Sequence, residues 1–457
     1  MQIVRPLLVL GLAAPLAACG SSPAPTDGGG DAGPATDAPM RTDTGGRDAG
    51  PSDDDFAGAR PITTDGTAVM DAIEVPEDRD FWRFEGTAGD WVAINTTANA
   101  DDDPMMVDTV ITLYDSTRTQ IAENDDAIPR VNTDSEIVIR LPSTGTYYIE
   151  VQEFSTWMPD DPPMPEGQSS FRYELAVVTL ADGGALNIDA ERGNDAASAQ
   201  ALRFGGTSSN VAFVLGAFAS ATDVDVFSLT VPTMQRLLST DVMPAGPDGY
   251  GSTRAAGRIW VTDMAGTEIL ARIEPRGMMQ NDISPTLPAG SYLLWVDAGG
   301  GTAGANDHYV LKAILGEENP LEAEPAPGSN DTWATAMALT MADDMGITRG
   351  FILATLPASD VDFFSFDVPA GRQINVFCGA QSSGSGVRGL TVTLFGSDGT
   401  TVRGMASETA TEGAAITGIT PSAPGTHYVR LTATGQDPEV AANWVRCGVA
   451  LTTPTMM

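Results

Sequence analysis

The strongest constraint on this chain is that it repeats itself three times. The segment Asp78-Arg79-Asp80-Phe81-Trp82-Arg83-Phe84 recurs as Asp223-Val224-Asp225-Val226-Phe227-Ser228-Leu229 and as Asp360-Val361-Asp362-Phe363-Phe364-Ser365-Phe366. Further segments keep the same order in each copy. A leading segment reads Asp54-Asp55-Phe56, Asn194-Asp195-Ala196 and Asn330-Asp331-Thr332. A central strand and turn run from Leu113 to Thr119, from Val261 to Thr267 and from Leu394 to Thr400. Late strands follow Gly145, Gly290 and Gly425, and closing strands run from Phe171, His308 and Trp444. An internal period of this length fixes the architecture before local detail does.

Within each copy the apolar residues alternate with period two, bounded by Gly, Pro, Asn and Asp, which is the pattern of strands. Short strands at this spacing predict all-β, tandem antiparallel sandwiches rather than an α/β fold. The expected units span 53–182, 189–316 and 328–453, joined by linkers over 181–190 and 316–328. Each is long enough to bury its own core.

These motifs resemble the bacterial pre-peptidase C-terminal (PPC) domain, whose pattern is an Asn-Asp start, Asp-x-Asp-aromatic-aromatic, Leu-Tyr-Asp and Gly-Thr-Tyr-Tyr-x-x-Val. The first copy carries the fullest set, in Asp78 to Phe84, Leu113-Tyr114-Asp115 and Gly145 to Val151. The resemblance implies jelly-roll-like sandwiches, related in shape to collagenase collagen-binding domains, that usually trail a secreted peptidase.

The paired Asp residues are the sharpest chemical feature. Alternation puts Asp78 and Asp80 on the side of Trp82 and Phe84, at the end of a sandwich. Two carboxylates aimed at one place are costly unless a cation or water shares it. Calcium takes six to eight oxygens of this kind, and the resemblance implies calcium at such a position. The candidate ligands are Asp55, Asp78 and Asp80 in the first copy; Glu191, Asn194, Asp195, Asp223 and Asp225 in the second; and Asn330, Asp331, Asp360 and Asp362 in the third. A further acidic group, Asn124, Asp125, Asp126 and Asp134, occurs in the first copy alone. The competing reading is that these acids cap turns in water.

The N-terminus places Arg5 before an apolar run ending in Leu16-Ala17-Ala18-Cys19. A basic residue, a short apolar core and small residues describe an export signal over 1–18. Leu-Ala-Ala-Cys resembles the lipobox of bacterial lipoproteins, which implies acylation of Cys19, anchorage in the membrane and, with Gly20 following, an outer-membrane location. Residues 19–52 are poor in large apolar side chains and are expected to be a disordered tether. In an oxidising compartment, Cys378 and Cys447 fit a disulfide better than two buried free thiols.

Composition excludes some functions. With 61 Asp+Glu against 24 Lys+Arg the net charge is −37, which repels a phosphate backbone and argues against nucleic-acid binding. Two histidines do not build a multi-His metal site, and no nucleophile-elbow, zincin or phosphate-loop motif is present. The chain is therefore expected to be a non-catalytic envelope lipoprotein that binds a glycan or an extracellular protein. A structural spacer and a hydrolase or peptidase-accessory protein are the alternatives. Exposed aromatics on one face would favour glycan binding, with Trp157 one candidate.

Overall fold

The computed structural model describes residues 53–98, 107–125, 134–158, 165–168, 170–190, 194–205, 210–232, 236–243, 258–273, 281–283, 285–299, 308–317, 328–344 and 347–453. They form three β-sandwiches in tandem, each with a front sheet that carries the Asp-x-Asp strand and a back sheet that carries the closing strand.

In the first sandwich the front sheet runs Arg60–Pro61, Arg79–Gly86, Gly145–Glu153, Thr109–Tyr114, Gln120–Asn124 across its width. The back sheet runs Val69–Ala72, Arg172–Leu180, Trp91–Thr97, Glu136–Arg140. The second sandwich repeats the front order with Gln200–Ala201, Val224–Val231, Gly290–Asp297, Arg258–Asp263 and Ile269–Ile273. The third does so with Met337–Ala338, Val361–Val368, Gly425–Thr432, Thr391–Phe395 and Val402–Ser407. Their back sheets centre on His308–Glu317 and Trp444–Thr452, each flanked by two long strands. In every front sheet the short first strand pairs in parallel with the Asp-x-Asp strand. The other pairings between these strands, apart from the parallel first strand of the second back sheet, are antiparallel.

Period two decides what each sandwich buries. Trp82 and Phe84 meet Ile94, Tyr147 and Leu175 in the first core. Phe227 and Leu229 meet Val214 and Tyr309 in the second, and Phe364 and Phe366 meet Val376 and Val429 in the third. Cys378 and Cys447 stand opposite each other on neighbouring back-sheet strands of the third sandwich and are joined as a buried disulfide. The bridge therefore ties two strands of one sheet together.

Two features depart from the sequence reading. Within the segment taken as the first linker, Leu186–Ile188 is a strand that pairs in parallel with Asn210–Ala217, so it belongs to the second sandwich. The run Trp91 to Ile94 is buried on both faces. Val92 and Ile94 enter the first core, whereas Trp91 and Ala93 pack with Val138 against Val211, Phe213, Leu215 and Val310 of the second sandwich. The two back sheets thus close on each other through an apolar layer, with the His308 ring edge-on to Trp91 at 5.5 Å. A crevice of about 170 Å³ opens beside this layer, lined in part by Trp91, Arg140, Asp189 and Leu215.

The second and third sandwiches meet through polar groups. Arg272 reaches Glu439 at 2.8 Å and Asp437 at 3.4 Å, and Arg388 shares Asp437 at 2.5 Å. The Arg272 amide donates to the Gly384 carbonyl, and the Ala441 amide donates to the Ile269 carbonyl.

Candidate functional site

The two acids of each Asp-x-Asp pair do different work. In the first two sandwiches the first acid caps the turn that leads into the strand. Asp78 accepts from the Glu74 amide at 2.8 Å and from the Arg79 amide. Asp223 accepts from the Ala219 amide at 2.7 Å, whereas in the third sandwich Asp360 accepts from the adjacent Val361 amide at 3.0 Å and the Leu356 amide donates to the Asn443 carbonyl. Glu77 and Ser359, immediately before Asp78 and Asp360, have φ of 70° and 71°. That left-handed backbone is uncommon for non-glycine residues; beside Glu77, Asp78 closes the turn by accepting from the Glu74 amide.

The second acid is buried. The Tyr173 hydroxyl donates to Asp80 at 2.5 Å, and the Tyr309 hydroxyl donates to Asp225 at 2.7 Å. Val445 takes the tyrosine's place in the third sandwich, directly across from Ala354, and Asp362 is fully buried there. Burial pushes the Asp80 carboxyl up to about 8, helped by the charges of Asp78 and Asp53 and opposed by Tyr173 and Arg60. Burial, followed by the Asp225, Asp189 and Asp223 charges, likewise raises the Tyr309 hydroxyl well above its ordinary range.

The leading segments fall in a different register from the one read in sequence. Arg60, Gln200 and Met337 stand opposite Trp82, Phe227 and Phe364. Asp55 and Asp195 are therefore equivalent to Thr332, and Asn330 is equivalent to Asp53, so the third copy is displaced by one residue from Asp54-Asp55-Phe56. The Phe81 amide donates to the Asp53 carbonyl as the Phe363 amide does to that of Asn330, both at 2.9 Å.

Asp55 caps its own turn through the Ala57 and Gly58 amides, as Asp195 does through Ser198, and neither joins the paired acids. The hydrogen bonds of Ser198 hold Asp195 below the usual carboxylate range. Asn194 is exposed and donates to the Thr222 carbonyl, and Asp331 is exposed. What converges in the first sandwich is Asp53, Asp71 and Asp80, whose oxygens lie within 4.8 Å of one another. Asp71 and Asp53 escaped the sequence reading because neither belongs to a repeated motif. In the second sandwich the missed acid is Asp189, near Tyr309. Among the described residues no other group of three His, Cys, Asp or Glu side chains is so close.

The described members of the second acidic group make backbone contacts. Asn124 accepts from the Glu136 amide at 2.7 Å, Asp134 from the Ala98 amide at 2.7 Å, and the Asp125 carbonyl from the Ser135 hydroxyl at 3.2 Å. Asp126, Glu191 and Cys19 lie outside the described residues, as do the export signal and the tether. The His427 ring faces Phe366 as Tyr147 faces Phe84, and its Nδ1 meets the Gly425 carbonyl.

Two aromatic residues are exposed among the described residues, Trp333 beside a front-sheet hairpin and Phe351 on a back-sheet strand. Residues 56, 196 and 333 occupy one position, beside a hairpin turn whose third residue is left-handed: Arg118 at φ 66°, Gly266 at 70° and Gly399 at 69°. Phe56 is enclosed by Phe81, Tyr114, Tyr148 and the Arg118 guanidinium. Ala196 leaves the position small. Trp333 lies against Gly399, where a Cβ would come within 2.4 Å of the indole, and remains 43% exposed. By contrast, Trp260 and Trp295 are half-buried and stack on each other, with Arg258 over Trp260. Trp157 is half-buried against Phe154.

Residues 78–153 and 360–433 match the family model of the bacterial pre-peptidase C-terminal domain. The first and third sandwiches are thus similar over these residues to PPC domains, which are β-sandwich modules of extracellular type, often non-catalytic. The second lies outside the matched ranges and repeats their strand order. No curated protein sequence matches the chain. Among solved structures, the exported protein XepA of PBSX is 10% identical, with a TM-score of 0.19 over 53% of this chain and 86% of that one. Tripeptidyl peptidase 2 is 9% identical, with a TM-score of 0.19 over 83% of this chain and 34% of that one. A triple jelly-roll protein of an archaeal virus is 8% identical, with a TM-score of 0.17 over 85% and 90%. No helix among the described residues is long and apolar enough to cross a membrane.

Proposed function

We propose that these sandwiches form the non-catalytic binding portion of a cell-envelope lipoprotein, anchored through acylated Cys19 in the outer membrane and set off from it by residues 20–52. Its ligand in this reading is a glycan. The observation that carries the reading is Trp333, a large aromatic seated on a glycine turn with much of its surface in solvent. Indole rings offer broad, rigid contact area at low entropic cost, which is why tryptophan is enriched among the residues that dominate binding. Tandem sandwiches would add avidity to a weak single site.

The test is a glycan and matrix-protein array probed with the chain from Asp53 onward and with Trp333→Ala. Binding to a glycan that falls at least about tenfold in the variant, the scale of a hot-spot residue, supports the reading. No glycan binding, or binding indifferent to Trp333, overturns it. A second reading, a structural spacer, is supported by the apolar layer between the first two sandwiches, and it predicts an array without signal.

A further inference from the structure

The cation that serves the first sandwich's acid cluster is already part of the chain. Arg60 Nη2 lies 2.6 Å from Asp53 Oδ2 and 3.9 Å from Asp80 Oδ1, and it also contacts Asp71 Oδ2. Its guanidinium sits 4.0 Å from the Trp82 ring centre. A planar fork of donors over an aromatic face suits a partly buried carboxylate group far better than an ammonium would.

The repeat shows that this is a paired change. Position 60 is Gln200 in the second sandwich and Met337 in the third, each at the same register. Asp71 stands across from Tyr173, where the second sandwich has Gly216 across from Tyr309 and the third has Ala354 across from Val445. The arginine and the additional acid thus occur together and only in the first sandwich. A divalent ion in the same shell would stand against a fixed positive charge and compete for the oxygens that the guanidinium already engages. The donor set does not fit the calcium expected there.

We propose that Arg60 is the internal counter-cation of the Asp53–Asp71–Asp80 cluster, so that the first sandwich needs no divalent metal at this site and becomes able to bind one when Arg60 is removed. This goes beyond the binding function and does not depend on it.

Calorimetry and terbium luminescence of the full chain test the proposal, with Trp82 as the nearby sensitiser. In the wild type, millimolar calcium or a chelator leaves in place the transition in which the first sandwich unfolds together with the second, and terbium gives no signal that Asp71→Asn removes. Arg60→Met lowers that transition by on the order of 5 °C, regains stability with millimolar calcium, and gives terbium luminescence that Asp71→Asn abolishes. Arg60→Lys keeps the charge and stays dark; if Arg60→Met does not fold, this variant carries the test. Calcium stabilisation of the wild type that depends on Asp71 would overturn the proposal. So would an Arg60→Met protein of unchanged stability, or terbium binding in Arg60→Lys.

Discussion

The two junctions between sandwiches are built from opposite materials. Between the first and second, two back sheets bury Trp91, Ala93 and Val138 against Phe213, Leu215 and Val310. Between the second and third, Arg272 and Arg388 converge on Asp437, which is helped by Glu439 and two backbone hydrogen bonds. Burial of apolar area is not screened by salt, whereas partly exposed ion pairs are screened and weak. The first pair of sandwiches should therefore behave as one unit, and the third should respond to ionic strength.

The third sandwich shows that residue type alone does not make such a junction. Phe351 and Leu353 occupy the back-sheet register of Phe213 and Leu215, as the pairing of the two closing strands establishes. Phe213 and Leu215 are buried, whereas Phe351 is 39% exposed and Leu353 is intermediate. The same pattern is a junction in one copy and open surface in another.

The largest expected effect is from Trp91→Ala, which should cost about 3–5 kcal/mol and separate the unfolding of the first two sandwiches. Calorimetry checks this, and a single undisturbed transition would break the contrast between junctions.

A second effect comes from Glu136, which shares a strand face with Val138. Burial pushes its carboxyl up to about 8 from an ordinary 4.5. Because the folded value is the higher one, the neutral acid's contribution is complete below about pH 4.5 and is lost as pH rises through about 8. Glu136→Gln should flatten the fall in stability over that window, read from denaturant midpoints at several pH values.

The smallest effect is expected from Asp437→Asn. It should cost no more than about 1 kcal/mol, and most of that should vanish in high salt. Small-angle scattering would report whether the third sandwich then moves against the second. An effect as large as that of Trp91→Ala would show that the polar junction is buried in a way that screening does not reach.

Much of the site was legible because it lies on repeated strands. Asp78, Asp80, Trp82 and Phe84 follow from alternation alone, and Cys378 and Cys447 follow from the inward faces of their strands. The leading segments were harder. Asp54-Asp55 and Asn330-Asp331 look alike as dipeptides, but they lie one residue apart in register, which only the pairing of Arg60 and Met337 with the neighbouring strand reveals. The short strand Leu186–Ile188 was hidden for a related reason: three residues show no period, and their pairing partner lies well downstream.

The sequence by itself determined three all-β copies, their strand faces and the disulfide, because side-chain alternation and internal repetition are local properties of the chain. The tertiary structure decided that Arg60, Asp53, Asp71 and Asp80 meet, and that Trp91 serves a junction while Val92 serves a core. Those outcomes depend on which strands lie side by side and which sheet faces are covered, and pairing across a sandwich joins residues that no short motif contains.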